Sequence, residues 1–88
     1  MGMTDETKDK TVSRIKISAD ETVGFTLMIE PLGINYELEP GAAMFFDFSP
    51  ARIDEMEIIY WDGGISVWIY GDVIVFDRDG KEVDRLFS

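Results

Sequence analysis

The chain contains neither cysteine nor histidine. Without thiols there is no disulfide framework and no cysteine-built metal site. Without imidazole, the Ser-His-Asp and Cys-His nucleophile pairs, the histidine-bearing zinc helices and the 2-His-1-carboxylate iron sites all drop out. Apolar runs are short, none approaching the ~18 residues that a membrane-spanning helix requires. Residues 1–10 lack the apolar stretch of a secretory signal. These absences lead us to expect a cytoplasmic protein with no cofactor, no metal, no membrane association and no enzymatic activity. Bases are also scarce: 8 Lys and Arg stand against 18 Asp and Glu, a net charge of −10. That excess of acid repels phosphate backbones, so no direct nucleic-acid binding is expected.

The charge is unevenly placed. Residues 1–11 hold three acids and two lysines, a balance of only −1. Residues 20–62 hold ten acids against the single base Arg52, a balance of −9. The acidity therefore belongs to the body of the fold and not to a tail.

What is present is hydrophobic alternation, the signature of half-buried strands. After a polar arm over residues 1–11, Ile15 and Ile17 alternate with Arg14, Lys16 and Ser18. Val23, Phe25, Leu27 and Ile29 form the next set, ended by Glu30-Pro31, and Ile34, Tyr36 and Leu38 alternate with Asn35, Glu37 and Glu39. Pro40-Gly41 is turn chemistry, because proline presets the first central φ and glycine supplies a positive φ at the second. Ala42 to Phe48 resumes as a strand with two apolar faces, on which core packing is the expected role of Met44, Phe46 and Phe48. Ala51 to Glu55 suit one short helical turn. Two β-branched and aromatic runs, 56–61 and 65–70, flank Asp62-Gly63-Gly64, a strong hairpin signal. A second hairpin is expected around Arg78-Asp79-Gly80. About seven to eight short strands without a long helix predict an all-β fold, a small antiparallel β-sandwich or barrel, forming one domain over residues 12–88.

Two chemistries survive the exclusions. Asp77-Arg78-Asp79-Gly80 resembles part of a calcium loop, but the alignment puts Val75 and Leu86 at ligand positions, so a turn closed by Asx-type hydrogen bonds is expected instead. Glu37 and Glu39 share one face of an amphipathic strand. Catalysis by a carboxylate pair needs one acid desolvated in a cleft, whereas these point to solvent. No catalytic residues are assigned.

The aromatic hairpin is the candidate interaction surface. With Gly63-Gly64 as a two-residue loop, Trp61 faces Ser66, Ile59 faces Trp68 and Glu57 faces Tyr70; a three-residue loop shifts this register. One side then carries Ile59, Trp61, Trp68 and Tyr70, and the other Met56, Ile58, Tyr60, Val67 and Ile69. A sheet in a sandwich has one inner face, so the surplus aromatics are covered by a loop, buried in a homodimer, or offered to a ligand. The candidate surface comprises Trp61, Trp68, Tyr70, Ile59 and Glu57, together with Glu37 and Glu39.

The run Glu30-Pro31-Leu32-Gly33-Ile34-Asn35-Tyr36-Glu37-Leu38-Glu39-Pro40-Gly41, followed by the Gly-containing hairpin and Val73-Ile74-Val75-Phe76, resembles a segment of small uncharacterised bacterial all-β proteins. The resemblance implies a bacterial origin and a compact β-fold, and carries no activity. Its L-x-P-G element also occurs in cupin-like barrels, whose metal-binding histidines are missing here. The expected function is binding of a protein partner, a basic one by charge, as an inhibitor or immunity-type module. The alternative is a sugar or small-ligand module that stacks its ligand on Trp61, Trp68 and Tyr70.

Overall fold

A computed structural model of the chain describes residues 13–49 and 54–86. Its elements run β1 (Ser13–Ser18), β2 (Phe25–Glu30), β3 (Ile34–Leu38), β4 (Ala43–Phe48), β5 (Glu57–Trp61), β6 (Gly64–Trp68), β7 (Val73–Phe76) and β8 (Glu82–Leu86). They form two four-stranded sheets, ordered β1-β4-β7-β8 and β3-β2-β6-β5. The all-β sandwich expected from alternation is therefore present. One pairing departs from a purely antiparallel design: β2 and β6 run parallel, with Leu27 opposite Ile65 and Ile29 opposite Val67. Periodicity reports which face a residue occupies but not which strand lies beside it, so this pairing had no local signal. The polar arm of residues 1–11 and most of the Ala51 to Glu55 turn lie outside the described residues; Asp54 and Glu55 adopt a 3₁₀ conformation.

The alternating sets meet between the sheets. Leu27, Phe46, Val67 and Val75 have no exposed surface, and Ile29, Leu38, Phe48 and Val73 are nearly as buried. Met44 packs against this cluster, so the predicted inward face of β4 is the one observed. Val23 falls outside β2 and is 62% exposed, because the strand begins only at Phe25. Across the sandwich, the Tyr36 hydroxyl on β3 donates to Asp84 on β8 at 2.8 Å, while its ring meets Phe46 edge-on at 6.3 Å. Asp84 points inward because it stands two residues from buried Leu86 and pairs with buried Val75; past it a bulge skips Val83, so that Phe76 pairs with Glu82. Val83 and Leu86 stand three apart, so the apolar residues of β8 leave its phase open and do not announce this carboxylate.

Two of the turns read from the sequence close as expected. At Pro40-Gly41 the amide of Ala42 donates to the Glu39 carbonyl, and Gly41 has φ +80°. At the β7–β8 turn Asp77 Oδ1 accepts from the amides of Asp79 and Lys81, each at 2.9 Å, the Asx-type closure expected in place of a calcium loop.

Candidate functional site

The site is the outer face of the second sheet. The hairpin that builds it turns at Asp62-Gly63, not at Gly63-Gly64: Trp61 pairs with Gly64, Ile59 with Ser66 and Glu57 with Trp68. The reason lies in the two glycines. Gly63 takes the positive φ of the turn, +94°, whereas Gly64 is needed inside β6 for close approach. A Cβ on Gly64 would collide with the Thr26 carbonyl and with the benzo ring of Trp61. Relative to the two-residue loop expected from the sequence, the register slips by two residues. An even slip leaves every side chain on its original face.

Three rows of residues cross this outer face. Glu37, Thr26, Gly64 and Trp61 form the first; Asn35, Met28, Ser66 and Ile59 form the second. The third places Trp68 between two carboxylates, Glu30 on β2 and Glu57 on β5. Trp61 lies across Gly64 and donates its indole N–H to Ser66 Oγ at 2.9 Å, so its polar edge is satisfied within the sheet. Thr26 donates its hydroxyl to the Glu37 carboxylate, 2.9 Å from Oε1. Tyr70 follows the strand and stands 6.5 Å from Trp68, with its ring tilted by 37°.

Of the residues proposed from sequence, Trp61, Ile59, Glu57, Trp68 and Glu37 share this face, and Tyr70 borders it. Glu39 does not belong. The strand ends at Leu38, and Glu39 opens the following turn, where its carbonyl accepts from Ala42. Glu30 and Met28 were missed. They are brought in by the parallel β2–β6 pairing, which no residue pattern announces, whereas Ser66 lies on the hairpin itself, opposite Ile59.

The other face of the hairpin is split. Val67 and Ile69 are buried, but Ile58 and Tyr60, on the same side, are 51% and 79% exposed. Their strand is the sheet's edge. Beside Tyr60, an open groove of about 520 Å³ is lined by Ile17, Phe25 and Ile65, with Asp20 and Asp62 at its rim. Asp20 accepts from the amide and hydroxyl of Thr22 at 2.9 and 2.6 Å. These bonds to the charged form hold its carboxyl below the usual carboxylate range.

The two outer faces differ in chemistry. On the first sheet, Arg14 makes a two-point contact with Asp47, at 2.6 and 3.0 Å, and lies over the rings of Phe45 and Phe76. Lys16 lies over Phe45 as well. Its exposed aromatics are thus covered by cations of the same chain. No Lys or Arg occurs on any strand of the second sheet. The described bases are Arg14 and Lys16 on β1, Arg78 and Lys81 at the β7–β8 turn, and Arg85 on β8.

Among the described residues no group of three or more acids is placed to hold a metal ion, and no buried side-chain polar atom lacks a hydrogen-bond partner. No described helix is long and apolar enough to cross a membrane. No protein-family model, no curated protein and no solved structure matches this chain.

Proposed function

We propose that this chain is a non-enzymatic binding module for a basic protein, of the inhibitor or immunity type, and that it engages its partner through the outer face of the second sheet. The observation that carries the reading is that, among the described residues, no cation lies on that face. The first sheet combines an aromatic surface, a carboxylate and a guanidinium in one contact. The second sheet repeats the aromatic and the carboxylates, with Trp68 between Glu30 and Glu57, but offers no base of its own. An arginine or lysine from a partner completes the arrangement. Cation–π contact contributes about 0.5–2 kcal/mol when partly desolvated, and flanking carboxylates add orientation and a faster approach. Ile59, Met28 and Trp61 supply apolar area for short-range contact.

The test compares two double variants that remove the same charge from different sheets. Glu30→Gln with Glu57→Gln removes the two carboxylates beside Trp68 on the second sheet, and Asp79→Asn with Glu82→Gln removes two carboxylates from the β7–β8 end. Immobilised wild type should retain basic proteins at low salt and release them as ionic strength rises. The first variant should lose that retention and the second keep it. Equal retention by both variants refutes the assignment to this face.

A second reading, sugar binding, draws on Trp61 lying flat along the sheet. Titration of tryptophan fluorescence with a glycan panel checks it, and a flat response throughout removes it.

A further inference from the structure

Edge strands expose a row of unpaired backbone groups, and natural sheets blunt them with charge, bulges or proline. Three of the four edges here are blunted. β1 carries Arg14 and Lys16, β3 carries Glu37 beside Asn35, and β8 has a bulge together with Glu82, Asp84 and Arg85. β5 is not. After Glu57 it reads Ile58-Ile59-Tyr60-Trp61, with no charge, no proline and no bulge. Ile58, Ile59 and Tyr60 are 51%, 42% and 79% exposed.

The register shows which backbone groups face outward. Residues flanking a two-residue turn exchange both hydrogen bonds, so Trp61, Ile59 and Glu57 direct theirs at β6. The bonds on the other side of β6 agree: Thr26 donates to the Gly63 carbonyl and Ile69 donates to Glu30, so the odd residues of this run serve β2. The N–H and C=O groups of Ile58 and Tyr60 therefore point away from the sheet.

The geometry points to β5 as a docking edge for an extended segment of a basic protein, which adds a fifth strand to the second sheet; this rests on the binding function proposed above. Charge selects the occupant. A second copy of the chain, paired antiparallel about Ile59, sets Asp62 of one copy opposite Met56 of the other, between Glu55 and Glu57 along the strand, so acids gather at both ends of the pairing with no base to offset them. A segment alternating basic and apolar residues fits both sides of the edge. Its basic side chains fall on the outer face beside Glu57, in line with Trp68 and Glu30. Its apolar side chains fall beside Ile58 and Tyr60, toward the groove whose rim carries Asp20 and Asp62. Main-chain bonds then give affinity and the alternating side chains give selectivity.

The probe is an acetylated octapeptide of alternating lysine and valine, titrated into the full chain at low salt. Ile58→Pro removes an outward N–H and places a ring in the path of the incoming strand, without breaking a β5–β6 bond. Binding should weaken by about tenfold or more, the scale of a lost main-chain hydrogen bond plus a steric block. Tyr60→Pro is the second variant. In the wild type, peptide should slow amide exchange at Ile58 and Tyr60, a reading that needs no variant to fold. Methylating the peptide amides at every valine, or at every lysine, should abolish binding in one case only: valine for an antiparallel added strand, lysine for a parallel one. Unchanged affinity in folded Ile58→Pro and Tyr60→Pro overturns strand addition, as does unaltered exchange at Ile58 and Tyr60. If Glu30→Gln with Glu57→Gln still weakens the peptide while the proline variants do not, the acidic-face function stands and only the docking mode falls. Concentration-dependent self-association that Ile58→Pro abolishes, with no peptide binding, assigns the edge to a second copy and refutes the proposal.

Discussion

Replacing Tyr36 by phenylalanine deletes one oxygen atom and leaves the ring against Phe46 in place. What is lost is the 2.8 Å hydrogen bond to Asp84, a side-chain tie between the two sheets. Hydrogen bonds to charged acceptors contribute about 1.5–3 kcal/mol when shielded. Tyr36 is only partly buried, and water can reach the carboxylate left behind, so the lower end applies and we expect a loss of about 1–1.5 kcal/mol. For a domain of this size that corresponds to a fall in Tm of roughly 5–10 °C. The assay is thermal and urea unfolding of wild type, Tyr36→Phe, Asp84→Ala and the double variant. If the two groups act through each other, the coupling energy across this cycle is about 1 kcal/mol.

The same pair sets an alkaline limit. Burial, and then the hydrogen bond and charge of Asp84, push the Tyr36 phenol well above its ordinary value. The folded chain thus prefers the neutral phenol more strongly than the unfolded chain does. The contribution is complete below about pH 10, where an unfolded tyrosine titrates, and fades as pH climbs above it. Wild type should lose stability in that window, and Tyr36→Phe should lose less. A coupling energy within about 0.3 kcal/mol of zero, together with parallel alkaline profiles, would refute the inter-sheet tie.

Phe46→Ala empties the middle of the core and should cost about 3–5 kcal/mol by urea unfolding, a large share of a small domain's total stability. Tyr60→Ser, at the exposed edge, should stay within about 0.5 kcal/mol of wild type in the same assay. Gly64→Ala forces a methyl against the Thr26 carbonyl and the Trp61 ring, so stability should drop by about 1–3 kcal/mol and tryptophan emission should shift. Ser66→Ala removes the acceptor of the Trp61 indole N–H and should change the emission with little loss of stability, because half-buried Trp61 can turn that group to water.

The strands were legible because each alternates over a core that covers one side. Ile15 and Ile17, Leu27 and Ile29, and Met44, Phe46 and Phe48 all point where their period places them. The aromatic face of the hairpin was legible for the same reason, and it survived a wrong turn because an even slip preserves faces. The parallel neighbour of β6 was not legible. It depends on which strands meet after the chain has crossed between sheets, and it alone brings Glu30 beside Trp68. Asp84 was hidden because Val83 and Leu86, three apart, leave the phase of β8 open, and the exposure of Ile58 and Tyr60 by their position at an edge. The misses at β6 and β5 concern relations between distant segments that local pattern does not encode.

An acidic composition also keeps a small protein soluble, and that explanation needs no partner. The two accounts differ in what matters, the total charge or its place. Lys81→Glu takes the net charge from −10 to −12 at the β7–β8 turn, on the sheet opposite the proposed face. Glu57→Lys takes it from −10 to −8 beside Trp68. If acidity serves only solubility, the precipitation limit follows net charge in both variants and the second sheet has no special sensitivity. If the second sheet is a binding face, Lys81→Glu leaves retention of a basic partner within about twofold of wild type, since the change lies on the turn of the other sheet and exposed charges beyond a Debye length of about 8 Å at physiological salt are screened. Glu57→Lys, by contrast, supplies a cation to the aromatic that lacked one, and retention should collapse at every ionic strength. Equal effects of the two substitutions on retention would leave solubility as the sufficient account of the charge.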